Sequence, residues 1–163
     1  PFSAFTILMS MQHPDSRGTV RAKSQRTDQQ PEIRFNFFVS EKDRQTCIKS
    51  IHIIRNIMAQ SPIAPYVAEE VSPGPMITSD ADLIEFCRKK GRSTFHASGT
   101  CKMGVDGMSV VDPRLRVHGV RGLRVIDASV MPRIVGANPQ AAIVMIAEKG
   151  SAMMLEDAAI LNQ

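Results

Sequence analysis

His96 sits in FHASGTCKMG (95–104), where serine, glycine and threonine surround it and no apolar periodicity calls for an imidazole. A group with an unperturbed pKa of about 6.5 can stand neutral at working pH and take up a proton, which makes His96 a general-base candidate. The plainer alternative is a loop histidine that does no more than hydrogen-bond the backbone. Asn138 and Pro139 form a second informative pair. Asn suits the cap of a helix and Pro its first turn, an arrangement that needs no function of its own. A helix opening there also presents free N–H groups and about half a unit of positive charge to whatever lies in front. That suits negative charge developing on a bound group. Asp127 closes the run GLRVID (122–127) and precedes Ala128, small enough to let a ligand reach the main chain. A turn role and a ligand role at the C-terminal end of a strand both account for it.

Other candidates carry less. His52 falls inside a helical pattern with no second ligand type at metal spacing, so no metal site is expected. Cys47, Cys87 and Cys101 are odd in number, widely separated and form no CxxC pair, which argues against a disulfide framework or a zinc site. Phe35, Phe37 and Phe38 can line a pocket, although the buried face of a strand is the better explanation of them. The 20 basic residues are scattered against 16 acidic ones, for a net charge of +4, and aromatics are 5% of the chain. Nothing there resembles a polyanion-binding stripe or a base-stacking platform, so nucleic acid is not expected as a partner. No apolar run is long enough for a membrane span and no basic region leads a signal peptide, which predicts a cytoplasmic protein. The chain begins at Pro1, already within an alternating apolar stretch, and reads as a cut or processed end.

The elements that must position these groups follow from periodicity. Phe5, Ile7, Met9 and Met11 alternate through residues 4–11, the turn-rich HPDSRG follows at 13–18, and TVRAKS at 19–24 is expected to pair back as a hairpin. EIRFNFF at 32–38 is a further strand-prone run. Ser40 with Asp43 resembles a capping box, after which Cys47, Ile51, Ile54 and Met58 share one helical face. The segment 61–75 is rich in Pro and Gly, and a second helix is expected from Ser79, burying Leu83 and Phe86 and stopping at Gly91. Beyond it come short extended runs at 109–111, 115–120 and 122–127, then a third helix from Asn138-Pro139 to about Leu161. With 43% hydrophobic residues over 163, the chain can bury a useful core.

Taken together, FHASGTCKMG (95–104), VVDPRLRVHGVRGLRVIDASVMP (110–132) and ANPQAAIVMIAEK (137–149) resemble, in order and spacing, the C-terminal signature of the glucose-methanol-choline oxidoreductases. PDSRGTV (14–20) resembles the turn that enters the substrate-domain sheet of that family. The resemblance implies an α+β architecture: an antiparallel sheet with flanking helices over 1–91, as part of a substrate-binding domain, and a segment over 92–163 that completes an FAD-binding α/β domain. It also implies FAD-dependent oxidation of an alcohol to an aldehyde or ketone, with His96 of the HxxGTxxMG motif as base and Asn138 holding the same oxygen. Asn at that position leans toward the choline and small primary-alcohol branch. By the same resemblance Phe95 and His96 face the isoalloxazine, Asp127 and Ala128 the ribityl and pyrophosphate region, and Asn138, Pro139 and Gln140 the pyrimidine side. The GxGxxG fingerprint that holds the ADP half of FAD is missing from these residues, so a partner chain or fragment that carries it is expected. A hydroxynitrile lyase of the same fold, or an inactive fragment serving as a binding module, are the alternatives.

Overall fold

A computed structural model describes residues 3–161, without the side chain of Leu161. The chain divides into two compact units between Arg92 and Ser93.

In the first unit, β1 (Thr19–Arg21) pairs antiparallel with β2 (Glu32–Arg34), with Thr19 opposite Arg34, Val20 opposite Ile33 and Arg21 opposite Glu32. The small antiparallel sheet with helices is therefore present, but the expected hairpin between 4–11 and 19–24 is not. Residues 4–11 form no strand, and 19–21 pair forward with 32–34. Alternation shows that a segment is suited to a sheet but does not choose its partner, and the two described strands pair with each other. Leu8 is 89% exposed and Phe5 63% exposed as a result. β2 stops short of 38 because Asn36 (φ 53°) and Phe38 (φ 59°) turn into the left-handed region, breaking the extended ladder.

Two helices follow, α1 (Glu41–Met58) and α2 (Asp80–Lys90). Their facing sides bury Cys47, Ile48, Ile51, Leu83, Ile84 and Cys87, with Phe38, Ile77 and Phe86 packed at the rim. Ile54 and Met58, expected on the core face of α1, are only half-buried, and Ile48 takes the place the pattern gave them. The capping-box expectation at 40–43 fails in an instructive way. Ser40 makes no side-chain cap bond, and Asp43, 1% exposed, turns away to accept from the backbone N–H groups of Asp15 (2.9 Å) and Ser16 (2.7 Å). The carboxylate thus clamps the 13–18 turn onto α1. Burial works against its charge, and the bonds from Ser16 and Asp15 outweigh that, holding the Asp43 carboxyl below the usual range. At α2 the cap is as expected, with Ser79 Oγ accepting from Asp82 N–H at 3.1 Å. Arg55 secures the irregular stretch between the helices: its guanidinium donates to both Glu70 carboxylate oxygens at 2.9 Å and to the Ile77 carbonyl, also at 2.9 Å.

The second unit is built on α3 (Gln140–Leu161). Ala142, Ile143, Ile146, Gly150, Met153 and Asp157 recur at helical spacing on its covered face. Val111, Leu115, Val130, Met131 and Ile146 form the core. The extended runs expected at 109–111, 115–120 and 122–127 are reduced to isolated bridges: Met103 with Val111, Val111 with Val117, and Arg116 with Arg124. Leu115 (φ 63°), Gly119 (φ 76°) and Gly122 (φ 74°) interrupt them with turns, so the segment is a web of short bonds around Val111. Gly150 is where α3 comes closest to that web, since a Cβ there would lie 2.5 Å from Ile126 Cγ2. Among the described residues no helix is long and apolar enough to cross a membrane.

Candidate functional site

The loop bearing His96 is fastened to the rest of its unit by backbone bonds. Cys101 N–H donates to the Ser129 carbonyl (3.0 Å) and Met103 N–H to that of Val130 (2.8 Å). Gly99 lies at φ 87° with the Met131 carbonyl 3.2 Å from where a Cβ would stand, so the approach of the two strands of chain there needs glycine. Val130 and Met131 in turn pack in one core with Ile146 of α3. The predicted sequence landmarks around 96, 127 and 138 therefore belong to one packed unit, connected through 99–103, 129–131 and α3.

Within it, His96 is half-buried, and its imidazole makes no hydrogen bond to the described residues. Phe95, immediately before it, takes φ 61° and leaves its ring 94% exposed, while its N–H donates to Ser93 Oγ at 3.0 Å. A left-handed conformation costs a bulky L residue on the order of 1 kcal/mol, so something other than local preference sets this backbone. Asp127 spends one carboxylate oxygen on capping a short 3-10 turn, Ala128–Val130, by accepting from Ser129 N–H at 2.7 Å. Ala128 packs partly buried against the core of the unit. The turn reading of Asp127 is thus realised, and its exposed carboxylate keeps a second oxygen outward.

The helix start differs by one residue from the sequence expectation. Pro139 is buried and its carbonyl accepts the first ladder bond, from Ile143 N–H at 2.9 Å, so it occupies the cap position and Gln140 the first helical one. Asn138 stands just outside, exposed, with no hydrogen bond among the described residues, and Gln140 is exposed as well. The N–H groups of the first turn have no intrahelical acceptor and point, with the positive end of the dipole, past Asn138. No hydrogen bond joins His96 to Asn138.

Sequence reasoning missed three features. Arg114 donates to Asp157 (2.7 Å), Glu156 (3.0 Å) and the Met153 carbonyl (3.2 Å), and Arg124 also pairs with Asp157, pinning the far end of α3 to the web. Partial burial opposes ionisation of Asp157, and the two guanidiniums more than offset it, keeping its carboxyl below the usual range. The two other features are the Asp43 clamp and the contact between Cys47 and Cys87, whose sulfur atoms lie 2.9 Å apart although 40 residues separate them. Only the core-facing position of each cysteine on its helix pointed to that contact.

The sequence profile of the family described as GMC oxidoreductase matches residues 14–147. The chain belongs to the GMC oxidoreductase family. It is 46% identical over 140 residues to an oxygen-dependent choline dehydrogenase of Pseudomonas putida, covering 86% of this chain and 25% of that one. An Escherichia coli protein of the same description is 48% identical over 145 residues, covering 89% and 26%. The chain thus spans about a quarter of the length of these curated relatives. Among solved structures it is similar to pyridoxine 4-oxidase from Mesorbium loti, with a TM-score of 0.80 and 30% identity over 86% of this chain and 28% of that one. It is similar also to an FAD-dependent oxidoreductase from Chaetomium thermophilum, with a TM-score of 0.83 and 27% identity over 91% and 26%.

Proposed function

We propose that this chain forms the C-terminal part of an FAD-dependent enzyme that oxidises a primary alcohol to an aldehyde, with His96 as base and Asn138 as hydrogen-bond partner of the reacting oxygen. The observation that carries the reading is the assembly of the family's motifs in one packed unit, with the His96 loop bonded to the 129–131 turn on which α3 is seated. In the proposed arrangement residues 1–91 serve the substrate side and 92–163 complete the FAD-binding side.

The chain fits part of such a cofactor. The first turn of α3 offers unpaired N–H groups at Gln140 behind Asn138 and Pro139, suited to a ring edge that gains negative charge. Ala128, small and beside the Asp127 turn, suits close passage of the ribityl and pyrophosphate region, and the exposed face of Phe95 next to His96 suits a planar ring. The ADP half has no GxGxxG loop here, so its binding falls to a partner segment outside these residues. FAD, when bound, supplies the acceptor for the hydride that leaves the alcohol carbon. His96 takes the hydroxyl proton on a ring nitrogen. Asn138 donates its amide N–H to the same oxygen, and the α3 dipole favours the negative charge that builds there.

The substrate class we propose is choline or a similar small primary alcohol, supported by the choline dehydrogenase relatives and by Asn at position 138. Anaerobic addition of choline to the flavin-loaded full-length protein should bleach the oxidised flavin spectrum. A flavin that stays oxidised with choline and with other primary alcohols would remove the redox assignment.

A further inference from the structure

The core between α1 and α2 contains two thiols that the proposed alcohol chemistry does not use. Cys47 is 3% exposed and Cys87 4% exposed, and Cys47 Sγ donates to Cys87 Sγ across 2.9 Å. Both are free; Cys47 lies in the first half of α1 and Cys87 just before the last turn of α2, packed with Ile48, Ile51, Leu83 and Ile84 in one core. Rigid helices that already bring two sulfur atoms into contact need little backbone movement to join them.

We infer that Cys47 and Cys87 are a redox pair, which a small peroxide converts to a disulfide joining α1 to α2. The two thiols are not equivalent. The hydrogen bond from Cys47 lowers the pKa of Cys87, while the same bond, with burial added, raises that of Cys47. With Cys87 as the attacking thiol and Cys47 as the resolving one the step balances, and its balance is the same with the two exchanged. Cys87 Sγ attacks one peroxide oxygen, the O–O bond breaks, and with hydrogen peroxide the products are a sulfenic acid and water. Cys47 Sγ then attacks that sulfur, the S–O bond breaks, and its hydroxyl leaves as a second water with the Cys47 proton. In total two thiols and one hydrogen peroxide give one disulfide and two waters. Cys101 is half-buried in the other unit and has no thiol in contact among the described residues, so it has no resolving partner. The depth of the pair makes the reaction slow, gated by opening of the helix pair to a small oxidant.

The test treats the native full chain with hydrogen peroxide, alkylates under denaturing conditions and reads the peptides by mass spectrometry. The expected product is the Cys47 peptide joined to the Cys87 peptide within one chain, lighter by two hydrogens than the reduced pair, while Cys101 carries no such link. Dithiothreitol should restore both thiols and lower the melting temperature of the oxidised sample; it leaves methionine sulfoxide untouched, so the drop reports the disulfide. Cys101→Ser should keep the link, and Cys47→Ala and Cys87→Ala should lose it. The inference is overturned if wild-type Cys47 and Cys87 are both recovered alkylated, or as separate oxyacids, under conditions that oxidise Cys101. A link that forms without any change in melting temperature on reduction would equally overturn the stapling role.

Discussion

Replacing Asp43 with Asn changes almost no volume and removes one charge from the clamp between α1 and the 13–18 turn. The carboxylate accepts two backbone bonds, from Asp15 at 2.9 Å and from Ser16 at 2.7 Å, and is 1% exposed. A hydrogen bond to a charged group contributes about 1.5–3 kcal/mol net. Asn keeps one acceptor oxygen and turns an N–H₂ toward the other backbone N–H, so one bond is lost and one weakened. The neighbouring bonds of the turn, Ser40 N–H to Ser16 Oγ (3.1 Å) and Lys42 to Asp15 (3.0 Å), remain to limit the damage. The expected loss is about 2 kcal/mol, which lowers a urea midpoint by about 1 M for a slope near 2 kcal/mol/M. Urea unfolding followed by circular dichroism measures this, and hydrogen exchange at the Asp15 and Ser16 amides localises it. The pH dependence supplies an independent sign. Because the folded-state pKa of Asp43 is depressed, its contribution is present above the ordinary carboxylate value of about 4 and is lost as pH falls through the folded value. The Asn variant should therefore show a shallower acid limb than the wild type. An unchanged midpoint, with both amides as protected as before, would refute the clamp.

Three further outcomes follow from the packing. Leu83→Ala, at a side chain with no exposed surface between α1 and α2, should cost about 2–5 kcal/mol by denaturant titration, far more than truncation of exposed Leu8. Gly150→Ala brings a methyl to 2.5 Å from Ile126 Cγ2; overpacking of about 1–3 kcal/mol should exceed the helix-propensity gain of about 1 kcal/mol, and Ile126→Ala should relieve the variant in a double-mutant cycle. Asp157→Asn should lower the melting temperature above the ordinary carboxylate pKa and have little effect well below it, because its folded-state pKa is depressed by Arg114 and Arg124.

Helices were the most legible part of the sequence. Their signals are local: a 3.6-residue stripe through Cys47 and Ile51, the Ser79 cap, and the Pro-marked start of α3. Strand pairing depends on a distant edge, and alternation at 4–11 could not tell that 19–21 would pair with 32–34 instead. The bridges of 103–124 hang on positive φ at Leu115, Gly119 and Gly122; the expected extended runs passed through all three, and a leucine in particular gives no sign of such a turn. At the candidate site the residue types of His96, Asp127 and Asn138 were readable, including the cap that Asp127 makes. The bonds that tie the His96 loop to Ser129 and Val130 join backbone groups, which leave no mark in side-chain identity. Asp43 had the right chemistry for a cap and was given the wrong partner, since its acceptors' donors lie 27 and 28 residues away.

The central proposal, that His96 takes the alcohol proton, is tested most directly by the anaerobic rate of flavin reduction in flavin-loaded full-length protein carrying His96→Ala. The account predicts a rate lower by about 10²–10⁴-fold with the flavin spectrum and content preserved, as expected for loss of a general base. A rate equal to that of the wild type in the variant would contradict it.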